Sequence, residues 1–362
     1  MQTNDPKTYV FSSISCGRDH SLALLSTGRV IGWGGAGSGN PPDNEPNYCS
    51  SEKAATTAVR LETPPVLAIT AGYGVSLAID MRHRLAIWGE DRAGHGGRLD
   101  AVSLAMPQLL PGVDSVRTVA AREFLFGAID GEGRLHTWGL SHEGSLGRPS
   151  ARLNATPGVV DGLPALDHVS VGNGYMVVLT RDGDLYAWGG NAAGQLGLGH
   201  LSVVEAPARV AAGTKFTRVA TGATHTLAIT ANGELMAWGS NHHGQLGNDK
   251  VKYSKAPLAV EMPEAVRAVA AGMHFSLALG ESGRVYAWGW NGRGQLGVGD
   301  TRDRWAATRV PVVAGAQSIA AGETHSVAIA SGKLYGWGNN ASGQLGKANR
   351  QQLEPVAFFP LG

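Results

Sequence analysis

Residues 219–247 read VATGATHTLAITANGELMAWGSNHHGQLG. Short aliphatic and β-branched runs alternate there with turn signals at Gly222, at the Asn232 and Gly233 pair, and at Gly244 and Gly247. Runs of this kind bounded by glycine read as strands, and Asn-Gly between two of them marks a tight hairpin. A fourth run, Pro257–Val260, closes the unit, and proline at its start suits an outer strand, where one missing N–H costs little. The stretch therefore predicts four antiparallel strands, and it lacks the 3.6-residue apolar period that a helix would show.

The Trp-Gly pair of this unit recurs at Trp33, Trp88, Trp138, Trp188, Trp238, Trp288 and Trp337, at spacings of 55, 50, 50, 50, 50 and 49 residues. Self-similarity at a fixed period means one supersecondary unit repeated, and four short strands per repeat bury their faces only against neighbouring copies. The expected fold is all-β: a single seven-bladed β-propeller with four antiparallel strands per blade. The expected blades span about 9–63, 64–111, 112–161, 162–211, 212–261, 262–313 and 314–362, with a loop insertion at about 35–58. The tryptophans are expected to pack between blades, and His20, His225 and His325, which recur in the first hairpin, are expected to be structural.

The 52 glycines and 16% charged residues describe a turn-rich globular chain and exclude disorder for most of it. Net charge is +1, with no run of Lys or Arg, so nothing favours direct nucleic-acid binding. No segment is apolar for the roughly 18 residues that a membrane helix needs, and the first ten residues carry no signal-peptide pattern. The expectation is a monomeric, soluble, cytoplasmic protein, with secretion lacking a cleaved signal left open. Two cysteines, Cys16 and Cys49, are too few for a disulfide framework or a structural zinc site and read as free thiols.

The combination Gly-x-x-His-Ser/Thr, Trp-Gly and Asn-x-x-Gly-Gln-Leu-Gly, whole at 222–247 and 322–346, resembles the regulator of chromosome condensation repeat. Blades one to three depart from it. Arg122 stands where the first glycine should be, Val75, Leu125 and Tyr175 replace the hairpin histidine in blades two to four, and 35–39 read GAGSG in place of the Gln-Leu-Gly turn. The resemblance implies one of three activities: guanine-nucleotide exchange on a Ran-like small GTPase, ultraviolet photoreception as in plants, or inhibition of a target enzyme such as a β-lactamase. Photoreception requires tryptophans in the first turns. Those positions hold Arg18, Tyr73, Glu123, Asn173, Ala223, Met273 and Glu323, so that reading fails. No local motif fixes the residues that exchange would use.

Strand directions alternate, so the turn joining the first and second strands shares a face with the longer loop joining the third and fourth. That face collects the irregular residues, and variable loops on a rigid scaffold are where binding resides. The candidate binding residues are Trp290, Arg293, Arg302, Arg304 and Trp305 of blade six, Arg122, Glu123 and Phe124 of blade three, Tyr73, Met273 and His274 in first turns, and Tyr48 in the blade-one insertion. Exposed tryptophan with arginine has the composition of interface hot spots. His142 and Glu143, at positions equivalent to His242 and His243, are weaker candidates for acid–base chemistry or a divalent metal should they converge over the central channel. The alternative is that they are solvated turn residues. No cofactor or metal is implied. The leading expectation is a module that binds a protein through the loop face, with an exchange factor and a His/Glu enzyme as alternatives.

Overall fold

The computed structural model describes residues 9–35, 59–60, 63–90, 103–311, 313–346 and 351–358. Among them there is no helix, and the strands form seven four-stranded antiparallel sheets, each built from four strands consecutive in sequence. In blade five these are Phe216–Thr221, His225–Thr230, Leu235–Ser240 and Tyr253–Ala259. Each sheet folds on local hairpins, with the first strand at the ring centre and the fourth outside. The ring closes where Phe11–Cys16 of blade one packs against Ala316–Ala321 of blade seven.

The outer strands differ from the sequence expectation. Pro257 lies inside Tyr253–Ala259 and Pro207 inside Val204–Val210 rather than at their starts. The register explains it. Ala237 pairs with Leu258 and Gly239 with Ser254, so Pro257 falls in a bulge opposite Trp238, where the ladder asks for no N–H.

The core lies between blades. Tyr175, Val177, Leu179 and Ala187 of blade four pack with Phe216, Val219, Ala228 and Trp238 of blade five, and Phe11, Ile31 and Trp33 of blade one close on Val327, Leu334 and Phe358 of blade seven. Each Trp-Gly indole is buried at its blade's junction with the preceding one. Indole N–H groups donate backwards round the ring: Trp188 to the Ser145 carbonyl at 3.0 Å, Trp238 to Gln195 at 2.9 Å, Trp288 to Gln245 at 3.0 Å and Trp33 to Gln344 at 2.8 Å. The same carbonyls accept the hydroxyls of Thr226, Ser276 and Ser21. Among the described residues the Nε1 atoms of Trp88, Trp138 and Trp337 have no partner. For Trp88 and Trp138 the corresponding turns of the preceding blades fall largely outside those residues.

The Gln-Leu-Gly turn is held from within. The Asn241 side chain accepts from Leu246 N at 2.8 Å while its Nδ2 donates to the Asn248 and Val251 carbonyls, and Asn191 and Asn291 repeat the arrangement. The turn's last glycine meets the next tryptophan. At Gly197 (φ +72) a Cβ would lie 2.8 Å from Trp238 Nε1.

The hairpin histidines form the second clasp. His20 Nε2 is 2.9 Å from Ser76 Oγ, His225 Nε2 is 3.0 Å from Ser276 Oγ, and His325 Nε2 is 2.8 Å from Ser21 Oγ, each across a blade junction. Burial pulls their pKa values down to about 4, 3 and 3. In blade four Tyr175 substitutes, its hydroxyl donating to the His225 carbonyl at 2.6 Å. The glycine three residues earlier makes room: a Cβ on Gly222 would sit 2.2 Å from His225 Cε1.

Two expectations follow. Gly197 and Gly199 both have positive φ, but a Cβ at Gly199 meets nothing within 4 Å. Gly199→Ala should cost about 1 kcal/mol in denaturant unfolding, the backbone term alone, and Gly197→Ala about 2–4 kcal/mol. The unfolded chain takes up protons on these histidines near pH 6.5 whereas the folded rings resist until about 3–4. Their stabilisation is therefore complete above pH 6.5 and falls as pH drops, by about 1.4 kcal/mol per unit and per ring. Urea titrations across pH should show His225→Gln lowering that slope by one such increment.

Candidate functional site

The first turns of the blades ring the central channel and are stitched to one another. Arg18 N donates to Gly72 O at 3.3 Å, Ala223 N to Met273 O at 3.2 Å and Met273 N to Glu323 O at 3.1 Å. The ends of the third strands bond to these turns, as in Ser240 N to Thr224 O and Trp290 N to His274 O, so the longer loops rise from the same face. Those loops lean forward onto the next blade: Gly144 on Glu205, Gly194 on Lys255 and Gly244 on Trp305. The channel beneath is lined by small residues of the innermost strands, among them Cys16, Ala71, Ser170, Thr221, Ala271 and Ala321. Cys16 is a free thiol there, and burial pushes its pKa up to about 12.

At the mouth, Arg122 ends the innermost strand of blade three, and the next residue, Glu123, takes a left-handed conformation (φ 47°). The guanidinium crosses to three other blades: Nε donates to Asn173 Oδ1 at 3.0 Å, and Nη1 to the Thr221 and Ala271 carbonyls at 3.2 and 3.4 Å. Burial lowers its pKa, opposed by the charges of Glu323 and Glu123 and by Tyr175. Beside it the rings of Tyr73 and Phe124 tilt together at 4.9 Å, and the Arg18 guanidinium lies 4.4 Å from the Tyr73 ring centre. Arg18 also approaches Asp19 at 3.5 Å and Glu323 at 3.6 Å. Burial raises the Glu323 carboxyl, against the pull of Arg122 and Arg18.

The histidine candidates fall into two groups. His142 and Glu143, 3.7 Å apart, border the junction with blade four, where His142 lines a cavity of about 280 Å³ with Arg122, Phe124, Leu140 and Asn173. His243 turns to blade six: Nδ1 is 3.0 Å from Asp303 Oδ2, its ring lies 5.6 Å from that of His274 and 6.2 Å from that of Trp290. Asp303 is oriented by Asn291 N, which donates to its other oxygen at 2.8 Å. Burial lowers the His274 pKa, with His243, Arg122 and His242 adding repulsion. His142 and His243 thus each lean on the blade ahead, as the described long loops of blades three to six do. Among the described residues no group of three or more His, Cys, Asp or Glu is arranged to hold a metal ion.

The blade-six residues are split as well. Trp290 is half-buried, its ring near His243 of blade five and its backbone N–H donating to His274 O in the first turn of its own blade. Trp305 is 40% exposed and lies in the outer strand Arg304–Arg309, on Gly244 of blade five, so local packing accounts for part of its surface. Arg304 pairs with Asp300 at 2.8 Å, while the Arg293 and Arg302 side chains are exposed and in no ion pair among the described residues. Tyr48 and nearly all of the 35–58 insertion lie outside the described residues. Sequence reading missed Asp303 and Asn173. Asp303 sits among charged residues in TRDRW, with no signal that it would meet a side chain sixty positions away.

The regulator of chromosome condensation (RCC1) repeat model matches residues 182–229, 232–279 and 282–329. A second model of the same repeat matches 11–40, 167–195, 216–245, 266–295 and 316–344, and together they cover more than half of the chain. No curated protein sequence matches significantly. Among solved structures the chain is similar to human WBSCR16, with 21% identity over 96% of this chain and 93% of that one and a TM-score of 0.79. It is also similar to Prp20p from Saccharomyces cerevisiae, with 22% identity over 88% and 82% of the two chains and a TM-score of 0.77; that structure is described together with Prp20p binding to Gsp1p and histones. Yeast RCC1 (Prp20) bound to Kap60 gives 21% identity, 96% and 84% coverage and a TM-score of 0.77. These identities speak for the fold.

Glu323 supplies the test of the mouth's electrostatics. Its folded pKa is raised above the unfolded value. The native state therefore carries a penalty above about pH 4.5 that is absent below it, where both states are protonated. Glu323→Gln should raise the unfolding midpoint at pH 7.5, and a thermal scan at pH 4 should show the gain gone.

Proposed function

The chain belongs to the regulator of chromosome condensation (RCC1) repeat family, and we propose that it is an interaction module that binds a protein partner through the loop face of its propeller. The observation that carries this reading is the segregation of the irregular residues. The indole bond repeats at Trp188, Trp238 and Trp288 and the histidine clasp at His20, His225 and His325, whereas Arg122, Glu123, Phe124, Tyr73, Trp290 and Trp305 all depart from the repeat at or beside the loop face. Trp305 is exposed in the outer strand of blade six, and the exposed Arg293 and Arg302 of the same blade form no ion pair among the described residues; tryptophan and arginine are the residue types of interface anchors.

A second reading is guanine-nucleotide exchange on a Ran-like small GTPase. It is favoured by the fold likeness to Prp20p, described with its binding to Gsp1p. Nucleotide release from such a GTPase, accelerated by the chain, supports exchange; tight binding without acceleration leaves the module alone.

The partner isolated from native cells and titrated against variants tests the primary reading. Trp305→Ala and Arg302→Ala should each weaken affinity by about tenfold or more. Asn232→Ala, in an exposed hairpin on the opposite face, should leave it unchanged. Equal affinities for all three would contradict the assignment.

A further inference from the structure

Blade three breaks the repeat twice within four residues, with arginine at 122 for glycine and leucine at 125 for histidine. The two changes are coupled. The glycine exists elsewhere to clear the imidazole three residues on, as the 2.2 Å approach at Gly222 shows. With Leu125 in place of the ring, that requirement lapses and a long side chain is admitted at the channel edge.

Arg122 uses this freedom in an unusual way. Its three acceptors, Asn173 Oδ1 and the Thr221 and Ala271 carbonyls, are all neutral, and the two carbonyl bonds are long, at 3.2 and 3.4 Å. Nη2 donates to none of the described residues. Glu323 and Glu123 act on the guanidinium only through space, with no ion pair formed. Half-buried and bonded only to neutral acceptors, the guanidinium keeps donor capacity for a carboxylate, the acceptor it bonds most strongly.

The surroundings are polarised. Asp19, Glu123 and Glu323 gather toward blades seven, one and three, where Arg18 answers two of them. The first turns of blades four, five and six contribute Asn173, Ala223, Met273 and His274 and no carboxylate. Beyond them stand His243 and His242; of the acids on that side, Asp303 is engaged by His243 and by Asn291 N, and Glu143 lies 3.7 Å from His142 against Gly190 of blade four.

We propose that the channel mouth, on the side of blades four to six, receives an acidic side chain of the protein partner, its carboxylate accepting from Arg122 and from His274. This rests on the reading of the loop face as a protein-binding surface. It carries a pH signature. The groups facing His274 are His242 and His243 from blade five, with Asp303 held behind His243, Arg122 from blade three, Trp290 of its own blade, and Glu323, whose turn bonds to Met273. Burial and three cationic or ionisable neighbours hold the imidazole neutral. A carboxylate placed beside it favours the protonated ring, so binding takes up a proton and tightens as pH falls.

The test uses a capped triglutamate peptide as probe and a capped triglutamine peptide as control, followed by the Met273 methyl and His274 ring resonances of the intact chain. Triglutamate should shift both saturably and triglutamine should not. Arg122→Gln should weaken triglutamate by about tenfold, the scale of a charge-assisted bond pair. Between pH 7.5 and 6.0 affinity should rise about threefold, and His274→Gln should abolish that rise. Unshifted resonances, an equal response to triglutamine, or unchanged affinity in a folded Arg122→Gln would overturn the proposal. If Arg122→Gln unfolds, a pH-dependent rise surviving in His274→Gln overturns it instead. With the native partner, loss of affinity in Trp305→Ala but not in Arg122→Gln refutes the mouth alone, whereas no loss in either refutes the loop-face reading beneath it.

Discussion

An indole N–H donating to the carbonyl of the preceding blade's Gln-Leu-Gly turn is the contact on which the rest of the molecule depends. No blade can bury both faces alone, since each is a four-stranded sheet with a core made half of its neighbour's side chains. The tryptophan fills the junction and its one polar atom is satisfied by a turn that asparagine and glycine have already shaped. At the junction of blades five and six, where Trp288 donates to the Gln245 carbonyl, His225 adds a second bond to Ser276. The indole contact joins neighbouring blades only and recurs at four junctions, so the ring accumulates stability by repetition rather than through any one large core.

The arrangement has a consequence for where chemistry can reside. The clasps tie the Nε2 atoms of His20, His225 and His325 to serine hydroxyls, and burial favours the neutral rings, which commits these histidines to the blade junctions. What stays available is the set of side chains that the repeat does not specify, and these rise at or beside the channel mouth. The long loops lean onto the blade ahead, so neighbouring candidates such as His243, Asp303, His274 and Trp290 assemble across a junction, not within one repeat.

That geometry explains how far the sequence could be read. The strands, the blade number and the structural roles of Trp238 and His225 follow from a period of fifty residues, because the contacts they make are repeated and one instance stands for all. The placement of Pro257 was misjudged because a bulge leaves no mark in a hydrophobic pattern. The partnership of His243 with Asp303, the separation of His142 from His242, and the reach of Arg122 over three other blades depend on how successive blades rotate about the axis. No local pattern reports that rotation. The substitution of glycine by Arg122 was visible as an exception, but its direction was not.

Indole hydrogen exchange tests the central account most directly. The Nε1 protons of Trp33, Trp188, Trp238 and Trp288 can be followed individually by NMR in deuterated water. The account predicts that all four exchange only through openings close in free energy to global unfolding, while the partly exposed Trp305 exchanges orders of magnitude faster. Exchange of the four at a rate comparable to Trp305 would contradict it.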